Sequence, residues 1–239
     1  MRMDFDLPTK APNLFEESRM KNFWKVITCL GLAMTTSLPA HAVGRDAFVR
    51  VVHAVTDGSK VDVFVDGDKK WNDVEFSGVT KYIRVPRGTH NIRIETNNPS
   101  RTLVNTTRSF RDGYFYTVGA YGTPSRPRTF SHDDSSGAIP YDHSTITFFN
   151  LATGGPTFDA RATISQNGDM LRIVRGVRYG QAKVAVTPAL PQSLRLLSGS
   201  RTLKTLTGAK PRAGRKYAAF VVGRVERNYR VILVNAASQ

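Results

Sequence analysis

The stretch FVRVVHAVTDGSKVDVFVDG, from Phe48 to Gly67, decides the fold class of this chain. Apolar residues alternate with polar ones in both of its halves, as in β-strands that bury one face. Asp66-Gly67 closes the second half with a turn, because glycine tolerates the positive φ that a tight hairpin needs. The stretch therefore predicts two strands with a short connection between them.

A weaker copy of this unit appears later as ITFFNLATGGPTFDA, from Ile146 to Ala160. The segments that follow each unit also correspond, since RTLVNTTRSFRDGYFYTVG resembles RTLKTLTGAKPRAGRKYAAFVVG. Short strands at regular spacing, separated by turn signals and without a sustained helical period, are typical of β-sandwiches. We predict an all-β protein with two tandem antiparallel Ig-like β-sandwich domains, the first over 43–123 and the second over 145–239, joined by a linker over 124–144.

The N-terminal region has the pattern of an export signal. Lys21 and Lys25 precede an apolar run that is too short to span a membrane, and Ala40-His41-Ala42 supplies a cleavage site. We expect residues 20–42 to be a cleaved signal peptide, residues 1–19 to be an extension upstream of the true start, and the mature protein to be periplasmic or secreted, with no transmembrane segment. The single cysteine, Cys29, lies within the signal, so the mature chain would have no disulfide or thiol site.

The first repeat resembles a known family through VRVVHAVTDGSKVDVFVDG, TKYIRVPRGTHNIRI and FRDGYFYTVGAYG. These segments are similar to the secreted β-sandwich repeats of family 4397 of the domains of unknown function. In the second repeat Asn150 replaces His53, and Phe158-Asp159-Ala160 replaces the Val-Asp-Val core. The resemblance implies Ig-like sandwiches and a role outside the cytoplasm, and it brings no catalytic residues. The layout is also similar to that of the periplasmic accessory proteins of alginate O-acetylation, which implies an alternative function as an accessory subunit of an exopolysaccharide O-acetylation complex.

Two groups of residues could carry chemistry. Asp62 and Asp159 fall at equivalent positions, and a carboxylate facing His53 could form a catalytic pair or half of a metal site. The linker contains two histidines and three carboxylates that could bind a divalent metal: His132, Asp133, Asp134, Asp142 and His143. A structural role for the first group and a solvated linker for the second are the interpretations that the spacing favours. No nucleophile elbow, phosphate-binding loop or H-E-x-x-H motif is present, so we predict a protein that is not an enzyme and has no cofactor or bound metal.

Charge separates the two repeats. The chain has 34 basic and 19 acidic residues, but residues 145–239 contain 15 basic against 3 acidic ones, while residues 44–123 contain 12 against 9. Such an excess either forms a solvated basic surface or contacts a polyanion, and export would leave nucleic acid out of reach. We predict that the second domain contacts an anionic cell-envelope polysaccharide, lipopolysaccharide or an acidic envelope protein. The residues predicted to bind the polyanion are Arg172, Arg175, Arg178, Arg212, Arg215, Lys216, Arg224 and Arg227.

Overall fold

The computed structural model describes residues 46–135, 137–163, 169–225 and 227–236. All regular elements in these ranges are strands, and none of the described residues forms a helix that could cross a membrane. The predicted upstream extension and signal peptide lie outside the described residues. The first eight strands are β1 (Asp46–Val55), β2 (Val61–Val65), β3 (Asp68–Val74), β4 (Ile83–Pro86), β5 (Gly88–Asn97), β6 (Ser100–Phe110), β7 (Phe115–Thr123) and β8 (Arg126–Asp133). The next eight are β9 (His143–Asn150), β10 (Phe158–Thr163), β11 (Met170–Val177), β12 (Ala182–Pro188), β13 (Gln192–Ser198), β14 (Arg201–Ala209), β15 (Lys216–Val222) and β16 (Arg230–Ala236).

The sixteen strands form four sheets of four, and the topology confirms the duplication. The first sandwich combines the sheets β4-β1-β7-β8 and β3-β2-β5-β6, and the second combines β12-β9-β15-β16 and β11-β10-β13-β14. Every strand of the second sandwich takes the place of the strand eight positions earlier in the chain. The prediction of two tandem β-sandwiches is confirmed.

The strand pairing departs from a purely antiparallel arrangement at one place in each sandwich. Strand β1 pairs in parallel with β7, and β9 pairs in parallel with β15. Residue alternation is the same for parallel and antiparallel strands, so the sequence pattern could not distinguish them.

Part of the segment that was predicted as a linker belongs to the first sandwich. Arg126–Asp133 forms β8, which pairs antiparallel with β7 along its whole length. The prediction of a solvated linker is therefore wrong for this stretch. Polar and half-exposed side chains follow from its position as an edge strand, and such a strand resembles a linker in composition.

Each sandwich has its own apolar core. In the first, Val49 and Val51 of β1 face Val63 of β2 and Ile92 and Ile94 of β5, all nearly inaccessible to solvent. The core of the second contains Phe148, Phe158, Leu194, Leu196 and Val221.

A third apolar cluster joins the two sandwiches. Strands β1, β7, β9 and β15 are buried along almost their entire length, so both of their faces are covered. Val52 and Ala54 of the first sandwich pack in one cluster with Phe149 and Phe220 of the second. The side chains from Phe48 to His53 thus alternate between the two faces of the strand, as the sequence pattern indicates. Both faces are covered, so the alternation does not separate buried side chains from exposed ones.

Candidate functional site

His53 and Asn150 occupy equivalent positions and tie loops to their strands. The His53 ring contacts the Ser59 carbonyl oxygen through Nε2 at 3.0 Å, and burial lowers the pKa of His53 despite that hydrogen bond, which acts to raise it. Asn150 Nδ2 donates to the carbonyl oxygens of Pro156 and Val177 at 3.0 Å. Both side chains therefore hold loop backbone in place.

Asp62 and Asp159 anchor β-bulges. Asp62 Oδ1 accepts the backbone N–H of Asp73 at 2.9 Å, and Asp159 Oδ1 accepts that of Gly176 at 2.9 Å. Asp73 and Gly176 both have positive φ and lie beside register irregularities of the β2–β3 and β10–β11 pairs. Partial burial opposes the ionised form of Asp62, but hydrogen bonds from Lys69 and from the Asp73 backbone outweigh it and lower the pKa of Asp62. The arrangement is structural, in keeping with the interpretation that the spacing favoured.

The histidines and carboxylates of the predicted linker are dispersed. His132 packs edge-on against Phe149, with ring centroids 5.0 Å apart, and Asp133 pairs with Arg111 at 2.9 Å. His143 Nδ1 contacts the Tyr141 carbonyl oxygen. In the ranges that the structure describes, no three His, Cys, Asp or Glu side chains are grouped so that they could hold a metal.

Asp134 is buried between the sandwiches rather than solvated. Its side chain accepts hydrogen bonds from Tyr82 Oη at 2.8 Å and from the Thr117 hydroxyl, and it lies 3.6 Å from Arg50 Nη2. Arg50 is 2% exposed and donates to Thr117 Oγ1 at 2.7 Å and to the Asn235 carbonyl oxygen at 2.8 Å. The hydrogen bond from Arg50 to Asn235 thus links this buried charge pair to the second sandwich, and no local pattern predicts it.

A basic pocket lies at the turn between β14 and β15. Its volume is about 540 Å³, and it is lined by Lys210, Arg212, Arg215, Lys216, Tyr217, Asn235 and Ala236. Tyr217 Oη accepts the backbone N–H of Arg212 at 3.0 Å, which fixes the turn that carries the cations. The equivalent Tyr116 accepts the backbone N–H of Arg111 at 3.1 Å, so both repeats contain this hydrogen bond. The structure therefore brings together three of the predicted residues, Arg212, Arg215 and Lys216, and adds Lys210.

The four cations of the basic pocket differ in the contacts that they make. Lys216 Nζ donates to the Ser135 carbonyl oxygen. Within the described ranges, no ion pair joins Lys210, Arg212 or Arg215 to a carboxylate. In the first sandwich, by contrast, six lysines and arginines each pair with a carboxylate: Arg50, Lys60, Lys69, Lys70, Arg93 and Arg111.

The other predicted residues lie elsewhere. Arg224 and Arg227 pair with Asp57 of the first sandwich, at 2.8 Å and 3.8 Å, and so are engaged in holding the two sandwiches together. Arg172 lies on the outer sheet of the second sandwich and pairs with Asp159 at 3.4 Å. Arg175 and Arg178 are exposed at the end of β11. Sequence proximity grouped these residues, but strand geometry separates them.

An apolar cleft adjoins the basic pocket, with Asn235 lining both. The cleft has a volume of about 750 Å³, and its walls include Phe48 and Phe115, whose rings stack 4.5 Å apart, together with Tyr82 and Val234. Arg50 also lines it. The cleft exists because two sandwiches meet, so no local pattern in the sequence could have indicated it.

Comparisons with known proteins find a family match over part of the chain. Residues 47–161 match the family described as "Domain of unknown function (DUF4397)". No curated protein sequence matches the chain significantly. One similar solved structure is a "putative cell adhesion protein" from Bacteroides ovatus ATCC 8483, with 11% identity, coverage of 81% of this chain and 96% of that chain, and a TM-score of 0.26.

Another is the fimbrial anchor protein Mfa2 from Porphyromonas gingivalis, with 11% identity, coverage of 80% and 97%, and a TM-score of 0.21. Similarity at this level transfers no function to the chain. The family match covers the first sandwich from Ala47 onward and extends into β10 of the second. Over residues 47–161, which are 115 of its 239 residues, this chain is similar to the DUF4397 family of domains of unknown function.

Proposed function

We propose that this chain is an exported, non-enzymatic envelope protein whose basic pocket binds an anionic polysaccharide. The observation that carries the proposal is the convergence of Lys210, Arg212, Arg215 and Lys216 on one cavity. Guanidinium groups present a fixed fork of donors that matches a carboxylate or phosphate in two hydrogen bonds. A pocket of this size accommodates one or two acidic sugar units.

The chemistry of the pocket favours binding over catalysis. Arginine stays protonated at physiological pH and cannot act as a general base. The amide of Asn235 and the hydroxyl of Tyr217 add groups that can hydrogen-bond to sugar hydroxyls. The export pattern in residues 20–42 supports an encounter with envelope polysaccharides.

The proposal is tested on the mature chain, beginning at Val43, with polygalacturonate as the probe. The double variant Arg212→Gln/Arg215→Gln should weaken binding about tenfold or more in calorimetric titration, because charge-assisted contacts are lost. The matched control is Arg84→Gln/Arg87→Gln, which removes two exposed arginines of the first sandwich and should change the affinity less than about twofold. Equal losses of affinity in the two variants would mean that net charge alone determines binding. That result would refute the proposed role of the basic pocket.

The whole mature chain is required for this experiment. An isolated second sandwich would expose the apolar cluster that contains Phe149, Phe220 and Val222. Exposed apolar surface of that kind retains polymers and proteins nonspecifically.

A further inference from the structure

We propose that the outer face of the sheet β11-β10-β13-β14 carries a second anion site, which we call the arginine row: Arg172, Arg161 and Arg195. It would bind a linear polysaccharide with a carboxylate on each repeating unit. The arginine row lies on a different sheet from the strand β15 that borders the basic pocket, and it does not depend on that pocket. Arg161 and Arg195 are absent from the residues that the sequence clusters indicated.

The strand register places the three side chains in line. Arg161 of β10 pairs directly with Arg172 of β11 on one side and with Arg195 of β13 on the other. Directly opposed residues of paired strands project from the same face, at intervals of about 4.7–4.9 Å between strands. Ala160 and Ala162, which alternate with Arg161, are buried in the core, so the arginine row faces away from it.

The charges of the arginine row are poorly balanced. Asp159, two residues before Arg161 on the same strand face, pairs with Arg172. Arg161 Nε is enclosed and has no hydrogen-bond partner among the described residues. Like charges directly opposite each other in a sheet are destabilising, so a bound anion would relieve a strain that the folded protein carries without it.

The first sandwich shows what this face looks like when it is neutral. The equivalent row is Lys69, Phe64 and Arg93, joined by the same register. Both cations lie over the Phe64 ring, with Lys69 Nζ 5.6 Å and Arg93 Cζ 4.1 Å from its centroid. Asp62 pairs with Lys69, and Glu95 pairs with Arg93.

Two replacements convert that neutral face into a cationic one. Arg161 stands where Phe64 stands in the first sandwich, and Leu197, the partner of Asp159, stands where Glu95 stands. One replacement adds a cation and the other removes an anion. The second sandwich therefore gains its anion site while the strands that support it keep their register.

The shape of the site favours a polysaccharide over an acidic peptide. Peptides usually add to a sheet through backbone hydrogen bonds at its edge, whereas the arginine row crosses the middle of a face. Thr205 continues the row beyond Arg195, and the hydroxyl-bearing pair Thr163 and Ser193 flanks it. Guanidinium groups at strand spacing, with hydroxyls beside them, suit a chain whose carboxylates recur at a similar interval.

The decisive variant is Arg161→Phe in the mature chain, because it recreates the row of the first sandwich. We expect it to weaken binding of polygalacturonate about tenfold or more and to leave the melting temperature equal to or above that of the wild type. The control is Arg230→Gln, which removes one exposed arginine from the other sheet of the same sandwich and should change affinity less than about twofold. Arg195→Gln provides a second test and should also weaken binding.

The outcomes separate this inference from the proposed function. If Arg161→Phe and Arg195→Gln bind like the wild type while the Arg212/Arg215 double variant binds weakly, the arginine row is refuted and the basic pocket stands. A loss of affinity in Arg230→Gln as large as that in Arg161→Phe would also refute the row. Loss of polyglutamate binding in Arg161→Phe, with polygalacturonate bound as in the wild type, would assign the row to an acidic polypeptide and overturn the polysaccharide.

Discussion

At the scale of single residues, His53 shows how a buried polar group can serve the fold. Its ring lies in the interior of the first sandwich, contacts the Ser59 carbonyl oxygen and accepts a long hydrogen bond from the Val55 N–H at 3.4 Å. Asn150 satisfies loop backbone at the equivalent position with an amide that does not titrate. The two repeats thus solve one structural problem with side chains of different pH sensitivity.

The stability of the protein should therefore fall as the pH decreases from about 7 to 5. Burial lowers the pKa of His53, and burial likewise lowers that of His132 even though Asp134 and Asp133 act to raise it. The unfolded chain then takes up protons first as the pH falls through the unfolded value near 6.5, which costs at most about 1.4 kcal/mol per pH unit for each histidine. The pKa values of Asp62 and Asp66 are also lowered. Their protonation reduces the stability of the protein only when the pH falls to the ordinary pKa range of aspartate and below it.

The variant His53→Asn, which gives the first sandwich the side chain found at Asn150 in the second, should reduce this pH dependence. Urea unfolding at several pH values between 7.5 and 5 measures it, and the slope of the unfolding free energy against pH should be shallower than in the wild type. His132→Gln should reduce the slope further. An unchanged slope in both variants would show that neither histidine is responsible.

At the scale of elements, the paired bulges determine how β3 and β11 lie against their neighbours. A bulge places an extra residue in one strand and bends it, and here a carboxylate from the adjacent strand accepts the N–H that the irregularity leaves unpaired. Lys69 and Arg172, which pair with these carboxylates, also belong to the two equivalent rows on the outer sheets. The bulge anchor and the row are therefore built from the same strands.

Removal of the anchor should destabilise the second sandwich. We expect Asp159→Ala to lower the unfolding free energy by about 1–2 kcal/mol, because the Gly176 N–H loses a charged acceptor. Asp159→Asn keeps an acceptor oxygen and should lose less. Chemical denaturation of the two variants checks this, and identical losses in both would mean that the charge of Asp159, rather than its hydrogen bond, is what matters.

At the scale of the whole molecule, the two sandwiches share buried surface, and a buried charge pair of the first contacts the second. Arg50 of β1 donates to the Asn235 carbonyl oxygen of β16, and its guanidinium lies 5.5 Å from the centroid of the Phe220 ring. Asp134, 5% exposed, depends on this partner, because a buried carboxylate is costly when left without a cation. Domains joined in this way should unfold together.

Equilibrium unfolding should accordingly show a single transition. Trp71 packs on the first core and is the one tryptophan after residue 42, so its fluorescence reports the first sandwich, whereas far-ultraviolet circular dichroism reports both. The two midpoints should coincide in the wild type. Arg50→Ala should lower the unfolding free energy by about 3–5 kcal/mol, since it leaves the Asp134 carboxylate buried without a cation. Both midpoints should therefore shift to lower denaturant concentration together.

The exposed Arg84 on the adjacent edge strand supplies the control, and its alanine variant should change stability little. Two separate transitions in the wild type would contradict the shared interface. A loss in Arg50→Ala that is confined to the fluorescence signal would do the same.

Much of this protein could be predicted because the signals are local. Alternation in stretches such as Val61 to Val65, together with turns such as Asp66-Gly67, is a property of the strand itself, and the duplicated order of those signals reproduced the two sandwiches. The charge excess of residues 145–239 is likewise fixed by composition alone. Arg212, Arg215 and Lys216, in the turn after β14 and at the start of β15, could be predicted as a cluster because they are neighbours in the chain.

Tertiary structure alone decided which charges meet. Arg161, Arg172 and Arg195 come from three strands and form a row only through sheet register, whereas Arg224 and Arg227 lie close to Arg230 in the chain but pair with Asp57 of the other sandwich. The same holds for the cleft beside the basic pocket and for β8, whose edge-strand composition resembles that of a linker. Periodicity determines which way a side chain points within its own strand, but the partner that it reaches depends on contacts between segments far apart in the chain.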